Sequence, residues 1–158
     1  MAFVLLCNDF KTGDAIPKQY TCDGANQSPP LWWNDSPKGA VSFGLLFVDL
    51  DAPGGNLIHW VLFDLPSMTR RLPSGMPGIE VLPQLGRARQ TKNDVNAKIG
   101  YTGPCPPKGS SHKYVFKLVA LDQTLGIAGA AAKPADVTKA MQGHILGSAE
   151  LLCTYARK

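Results

Sequence analysis

No stretch of the 158 residues approaches the roughly 20 apolar residues a helix needs to cross a bilayer, so no stable membrane insertion is expected. Met1 to Asp9 carries no basic leader, and its apolar run is too short for a secretory signal. A cytoplasmic protein is the expectation. The four cysteines, Cys7, Cys22, Cys105 and Cys153, form no Cys-x-x-Cys pair, which argues against a zinc knuckle and a disulfide scaffold. Free thiols are therefore expected. Cys7 and Cys153 lie in apolar runs and read as small core residues. Cys22 and Cys105 lie in loops, and the sequence leaves open whether they pair. The net charge of +4 is dispersed, with no run of five basic residues and no basic-aromatic interleave, so nucleic acid is not an expected partner. A mild positive field suits an anionic ligand. The chain also lacks a Walker loop and a Gly-x-Ser-x-Gly elbow, so neither P-loop nucleotide chemistry nor an elbow serine hydrolase is indicated.

What the chain does have is enough apolar residues, 44%, for one ordinary core in a single domain spanning 1–158. Thirteen prolines and sixteen glycines are spread along it and mark turns between short strands. Ala40 to Asp51 is apolar on both faces and predicts a central strand covered on both sides. Asp49-Leu50-Asp51-Ala52-Pro53-Gly54-Gly55 turns the chain into a second strand, His59 to Leu65, with His59, Val61 and Phe63 as its inward set. Phe3 to Cys7 and Ile79 to Leu82 read as short strands, and Ser28 to Trp33 as an extended edge segment whose tryptophans cap a core. Ser67 to Ile99 has no clear period and reads as a long loop. Lys113 to Asp122 alternates as a strand with Tyr114, Phe116, Leu118 and Ala120 on the face of His112. Pro134 to Leu146 predicts the one good helix, stopped by Gly147, with His144 as a structural residue on its apolar stripe. Ser148 to Tyr155 is a last strand.

The chemistry concentrates at two places. Only three histidines occur, and His59 and His112 both open strands after Gly-rich turns. If those strands share a sheet, both imidazoles and Asp49 or Asp51 converge at one end. Three readings follow. Two imidazoles with backbone N–H groups would bind phosphate or another oxyanion. Two histidines and a carboxylate could hold a metal, though no close His spacing supports it. Asp49 with His59 or His112 could serve as acid and base in a hydrolase, though a nucleophile is not evident. Cys105 is a conceivable one, but the prolines on both sides favour a structural role.

Asp49-Leu50-Asp51-Ala52-Pro53, His59-Trp60, Gly103-Pro104-Cys105-Pro106-Pro107-Lys108-Gly109 and His112-Lys113-Tyr114 resemble the two signature regions of the phosphatidylethanolamine-binding protein family, in its bacterial Raf kinase inhibitor-like branch. Ser28 to Trp33 and the tail from Gly143 to Tyr155 are similar to that branch as well. The resemblance implies a mostly β protein: an antiparallel β-sandwich with a large central sheet, a smaller sheet, and a C-terminal helix on one side. It implies an anion pocket lined by Asp49, His59, His112 and Tyr114 and walled by Pro53, Gly103, Pro106 and Pro107. Asp51 and Cys105 would be structural there, and Ala52-Pro53 would be a cis peptide. Implied ligands are phosphate-type groups: phospholipid head groups, phosphorylated metabolites or phospho-side chains. A protein kinase is the implied protein partner, and a homodimer the implied assembly. No cofactor or metal, and binding rather than catalysis, are expected.

Overall fold

The computed structural model describes residues 2–158; Met1, the first residue of the stretch read for a leader, lies outside them. Nine strands and one α-helix follow in chain order: β1 Val4–Leu6, β2 Leu31–Asn34, β3 Ser42–Asp49, β4 Leu57–Pro66, β5 Arg71–Leu72, β6 Val81–Leu82, β7 Ala88–Gln90, β8 Ser111–Leu121, α1 Pro134–Met141 and β9 Ile145–Ala156. Six strands form the large sheet in the order β6-β7-β4-β3-β8-β9, and three form a small sheet in the order β1-β2-β5. Their pairings are antiparallel.

Two apolar layers explain why β3 and β8 are hydrophobic on both faces. On one side Phe43, Leu45, Phe47, Phe116 and Leu118 pack against Leu5, Leu31 and Trp33 of the small sheet. On the other, Val61, Phe63, Val119 and Leu121 are covered by Val137 and Met141 of α1. Burying each large side chain contributes roughly 1.5–3 kcal/mol, so these two layers dominate the fold's stability. The expected sandwich, with a helix on one side, is what the chain forms.

Several local expectations change. The segment at Ser28 to Trp33 is not an edge: β2 is the middle strand of the small sheet, with Trp33 fully buried and Trp32 on the opposite, half-exposed face. The long loop holds β5, β6 and β7. The helix stops at Met141 rather than Leu146, because Gly143, with φ 83°, reverses the chain. Residues from Ile145 onward then pair with β8. His144 is therefore off the helix, and its Nδ1 lies 2.9 Å from Asp122 Oδ1.

Two points that the sequence leaves open take a definite form in the structure. Cys22 and Cys105 are not free thiols but a disulfide, with Cα atoms 5.4 Å apart. Sequence spacing could not show this, because the half-cystines are 83 residues apart and meet only through the fold. Cys7 and Cys153 stay free and buried, as expected. Ala52-Pro53 is trans: the described residues contain no cis peptide bond. Trans is the lower-energy isomer, and Gly54 and Gly55, with φ 85° and 116°, supply the reversal instead.

Candidate functional site

The site residues sit at one end of the large sheet. Asp49 ends β3, His59 lies near the start of β4, and His112 near the start of β8. Because β3 pairs with both β4 and β8, three chemically distinct side chains are brought to one sheet end.

The position of His59 depends on a register shift. Phe47 lies opposite Trp60, yet Val48 lies opposite Ile58, so His59 is an extra residue in β4. A bulge of this kind re-aims one side chain without disturbing the strand beyond it. Strict alternation would place His59 with Val61 and Phe63, on the helix side. Instead its ring meets Phe47 edge-on at 5.7 Å and Tyr114 at 5.6 Å, both in the layer facing the small sheet. The expected inward set fails at this residue, for a reason period-two reading cannot detect.

Asp49 is buried and both its oxygens are engaged. Oδ2 accepts from His112 Nδ1 at 2.7 Å, and Oδ1 accepts from the Asp51 backbone N–H at 2.9 Å. Asp51 in turn accepts the Lys113 backbone N–H at 2.7 Å, tying the β3–β4 turn to β8. The hydrogen bond fixes the orientation of the His112 ring.

His59 is held differently. Its Nδ1–H donates to the Thr102 carbonyl at 2.9 Å, which leaves Nε2 as the ring's remaining polar atom. Nε2 is buried and has no hydrogen-bond partner. Burial pushes the imidazole below its ordinary pKa, outweighing the Thr102 hydrogen bond and the Asp49 charge. Tyr114, buried between the two histidines, also has a hydroxyl without a partner. Burial, reinforced by the Asp49 charge, pushes that phenol well up, so it stays protonated.

A cavity of about 130 Å³ opens here, lined by Asp49, His59 and His112 and walled by apolar side chains including Pro53, Pro106 and Pro107. Cys105 is also in the lining, so the disulfide forms part of the wall. Leu57 and Val95 complete the wall and were not singled out from the sequence. Val95 is placed by Asn93, whose buried side chain donates to the carbonyls of Lys98 and Gly100 and accepts the N–H of Val95 and Asn96. Asn93-Asp94 was the only local signal for that loop, and a turn was all it could have suggested.

Tyr114 and Gly103 do not line the cavity; they stand behind it. Gly103 N–H donates to Asn26 Oδ1 at 2.7 Å, and a Cβ at this position would meet the Tyr20 carbonyl oxygen at 2.1 Å. Glycine is thus required for the 100–109 loop to press against the 19–27 loop. Tyr101 O–H donates to the same Tyr20 carbonyl at 2.7 Å, and Arg157 pairs with Asp23 at 3.1 Å, so the two loops are braced around the disulfide.

The arrangement suits holding an anion. It offers two imidazoles, one charge-paired and one with a free nitrogen, at the bottom of a small apolar cup. Cys105 is bonded to Cys22 and so supplies no thiolate nucleophile. No cluster of three or more His, Cys, Asp or Glu residues that could hold a metal occurs among the described residues.

Known proteins place the chain among relatives. Residues 7–156 match the model of the phosphatidylethanolamine-binding protein family. A UPF0098 protein of Aquifex aeolicus is 43% identical over 150 residues, covering 94% of this chain and 85% of the relative. The UPF0098 protein YbhB of Escherichia coli is 42% identical over 125 residues, covering 75% and 77% of the two chains. The crystal structure of E. coli YbcL, described as a new member of the mammalian PEBP family, superposes with a TM-score of 0.87 at 29% identity, covering 99% of each chain. A phosphatidylethanolamine-binding protein homologue from Chlamydia trachomatis gives 0.86 at 34% identity, again over 99% of each chain. On the family match across nearly its whole length, the chain belongs to the phosphatidylethanolamine-binding protein family.

Proposed function

We propose that this protein is a binding protein whose pocket takes a phosphate-type group, with no catalytic turnover. One observation carries the reading. His59 lines the cavity beside the Asp49–His112 pair, and its Nε2 is buried without a hydrogen-bond partner among the described residues. An unsatisfied buried polar group costs about 1–3 kcal/mol, which a bound oxyanion would relieve.

The cavity's size narrows the ligand. At about 130 Å³ it is well below the roughly 300–1,000 Å³ of drug-sized sites. It therefore takes a phosphoryl group end-on, with the rest of a head group, metabolite or phospho-side chain outside. Regulation of a kinase through a phospho-side chain is consistent with this access. The competing reading is hydrolysis, with Asp49–His112 as base. It has the dyad in its favour, but without the Cys105 thiol it must use water as nucleophile.

The pH dependence has a definite sign. Phosphate favours protonated His59, so binding raises its pKa from the burial-lowered free value. Affinity is highest below that free value, which lies under about 6.5, and falls as pH rises above it. Calorimetry with inorganic phosphate should show proton uptake in that range. His112→Ala should weaken binding roughly 10- to 100-fold, the value of one charge-assisted hydrogen bond. A pH-independent affinity would sink the reading. Release of phosphate from p-nitrophenyl phosphate, lost in His112→Ala, would establish the hydrolase instead.

A further inference from the structure

A second concavity is larger than the anion pocket. It is a groove of about 810 Å³ on the small sheet, within the range of natural ligand clefts. Trp33 in its lining packs on Phe43 at 5.6 Å, and the Arg70 guanidinium lies 6.0 Å over the same ring. Phe43 lies near the start of β3 and Asp49 ends it, so the ring beneath Trp33 and Arg70 is at the opposite end of the strand from the anion pocket.

Its chemistry is one-sided. Arg70 and Arg71 line it, both exposed, and no acidic residue does. Neither arginine is in an ion pair among the described residues. Arg70 donates from Nη1 alone, to the carbonyls of Ser67 and Thr69. Between the strands lies Trp32, opposite Arg71 in the β2–β5 register and half-buried. Its indole N–H donates to Asn8 Oδ1 at 3.0 Å, which fixes the ring. Asn34 adds a polar edge. Trp33, also in the lining, has a buried indole N–H with no partner.

We propose that this groove is a second binding site, for a small aromatic anion. A flat apolar body would stack on Trp32, and a carboxylate would be held by Arg71, which shares the face of Trp32, with Arg70, whose guanidinium lies over Phe43, adding positive charge to the lining. A fixed indole offers stacking at little entropic cost, and guanidinium groups bind carboxylates bidentately. An ordinary solvated arginine pair needs no such platform. Uncompensated cations beside a positioned indole in a cleft of ligand size favour an anionic aromatic occupant over a cationic or sugar-like one.

The test uses 2-naphthoate as probe, with neutral 2-naphthalenemethanol and acetate as controls, by calorimetry and by NMR of the three indole N–H signals. Saturable naphthoate binding is expected, roughly 10- to 100-fold tighter than the alcohol, with a shift at Trp32 and none at buried Trp33 and Trp60. The double variant Arg70→Gln/Arg71→Gln, both surface positions, should bring the acid down to the alcohol's affinity. Trp32→Leu should weaken both aromatic compounds. His112→Ala should leave naphthoate binding unchanged. Equal affinity for acid and alcohol, an unaltered double variant, loss of binding in His112→Ala, or no saturable binding would each overturn the proposal.

Discussion

Phe47→Ala is expected to destabilise the protein by about 3–5 kcal/mol, the range for losing a buried aromatic side chain. Phe47 is fully buried in the middle of an aromatic stack. Its ring lies parallel to Phe116 at 3.9 Å and to Tyr101 at 5.6 Å, and touches Tyr114 at 5.7 Å and His59 at 5.7 Å. These neighbours come from three separate segments and cannot collapse together into the space, so the cavity term is paid nearly in full. The melting temperature should fall by roughly 6–20 °C for a chain of this length. Phe47→Leu, which keeps most of the volume, should cost much less, below about 1.5 kcal/mol if the neighbours repack. The same truncation tests the site, because Phe47 helps exclude water from His59. Water admitted to the cavity would relieve the desolvation that lowers the imidazole pKa. His59 should therefore titrate at higher pH in Phe47→Ala, visible in its ring-proton NMR titration. An unshifted titration would show that Phe47 does not shield the ring.

Reducing the Cys22–Cys105 bond is the second large perturbation. The bond closes a loop of 83 residues, for which the chain-entropy account gives a stabilisation of roughly 4–5 kcal/mol; removal of native disulfides costs about 2–5 kcal/mol in practice. Cys22→Ser/Cys105→Ser, or treatment with a dithiol, should lower the midpoint of urea unfolding accordingly. Phosphate affinity should fall as well, because Cys105 is part of the cavity wall. In denaturant, the unreduced protein should show two titratable thiols, Cys7 and Cys153, and four after reduction. In the native state neither of the two should react quickly, since both are buried and Cys153 is pushed up to about 12 by burial. Four thiols without reductant would remove the bond from the account.

Sheet architecture was legible because runs such as Val41 to Val48 and Lys113 to Leu121 carry their own signal. Their apolar pattern on two faces demands cover on both sides, which the small sheet and α1 provide. The pairing of Asp49 with His112 was legible only as far as strand ends and turns allow. Local pattern contains nothing about residues 63 positions apart until strand order is known. His59 was found for a partly wrong reason: its type and turn were read correctly, but its face is set by a bulge. Val95 and the role of Asn93 went unread because a loop held by one side chain has no period. The end of α1 was misplaced because helix-compatible residues continue past Gly143, and pairing with β8 outweighs their modest propensity.

The placement of the pocket on β3, β4 and β8 has a kinetic consequence. Each of these strands is hydrogen-bonded on both sides within the six-stranded sheet. Their amides belong to the part of a protein that opens only with global unfolding, not to a fraying edge. On the proposed binding reading, the strand-borne Asp49, His59 and His112 would need no rearrangement to meet a ligand, so no affinity would be lost to their conformational selection. Association should proceed in one step at a rate set by encounter and orientation, so changes in affinity appear as changes in residence time.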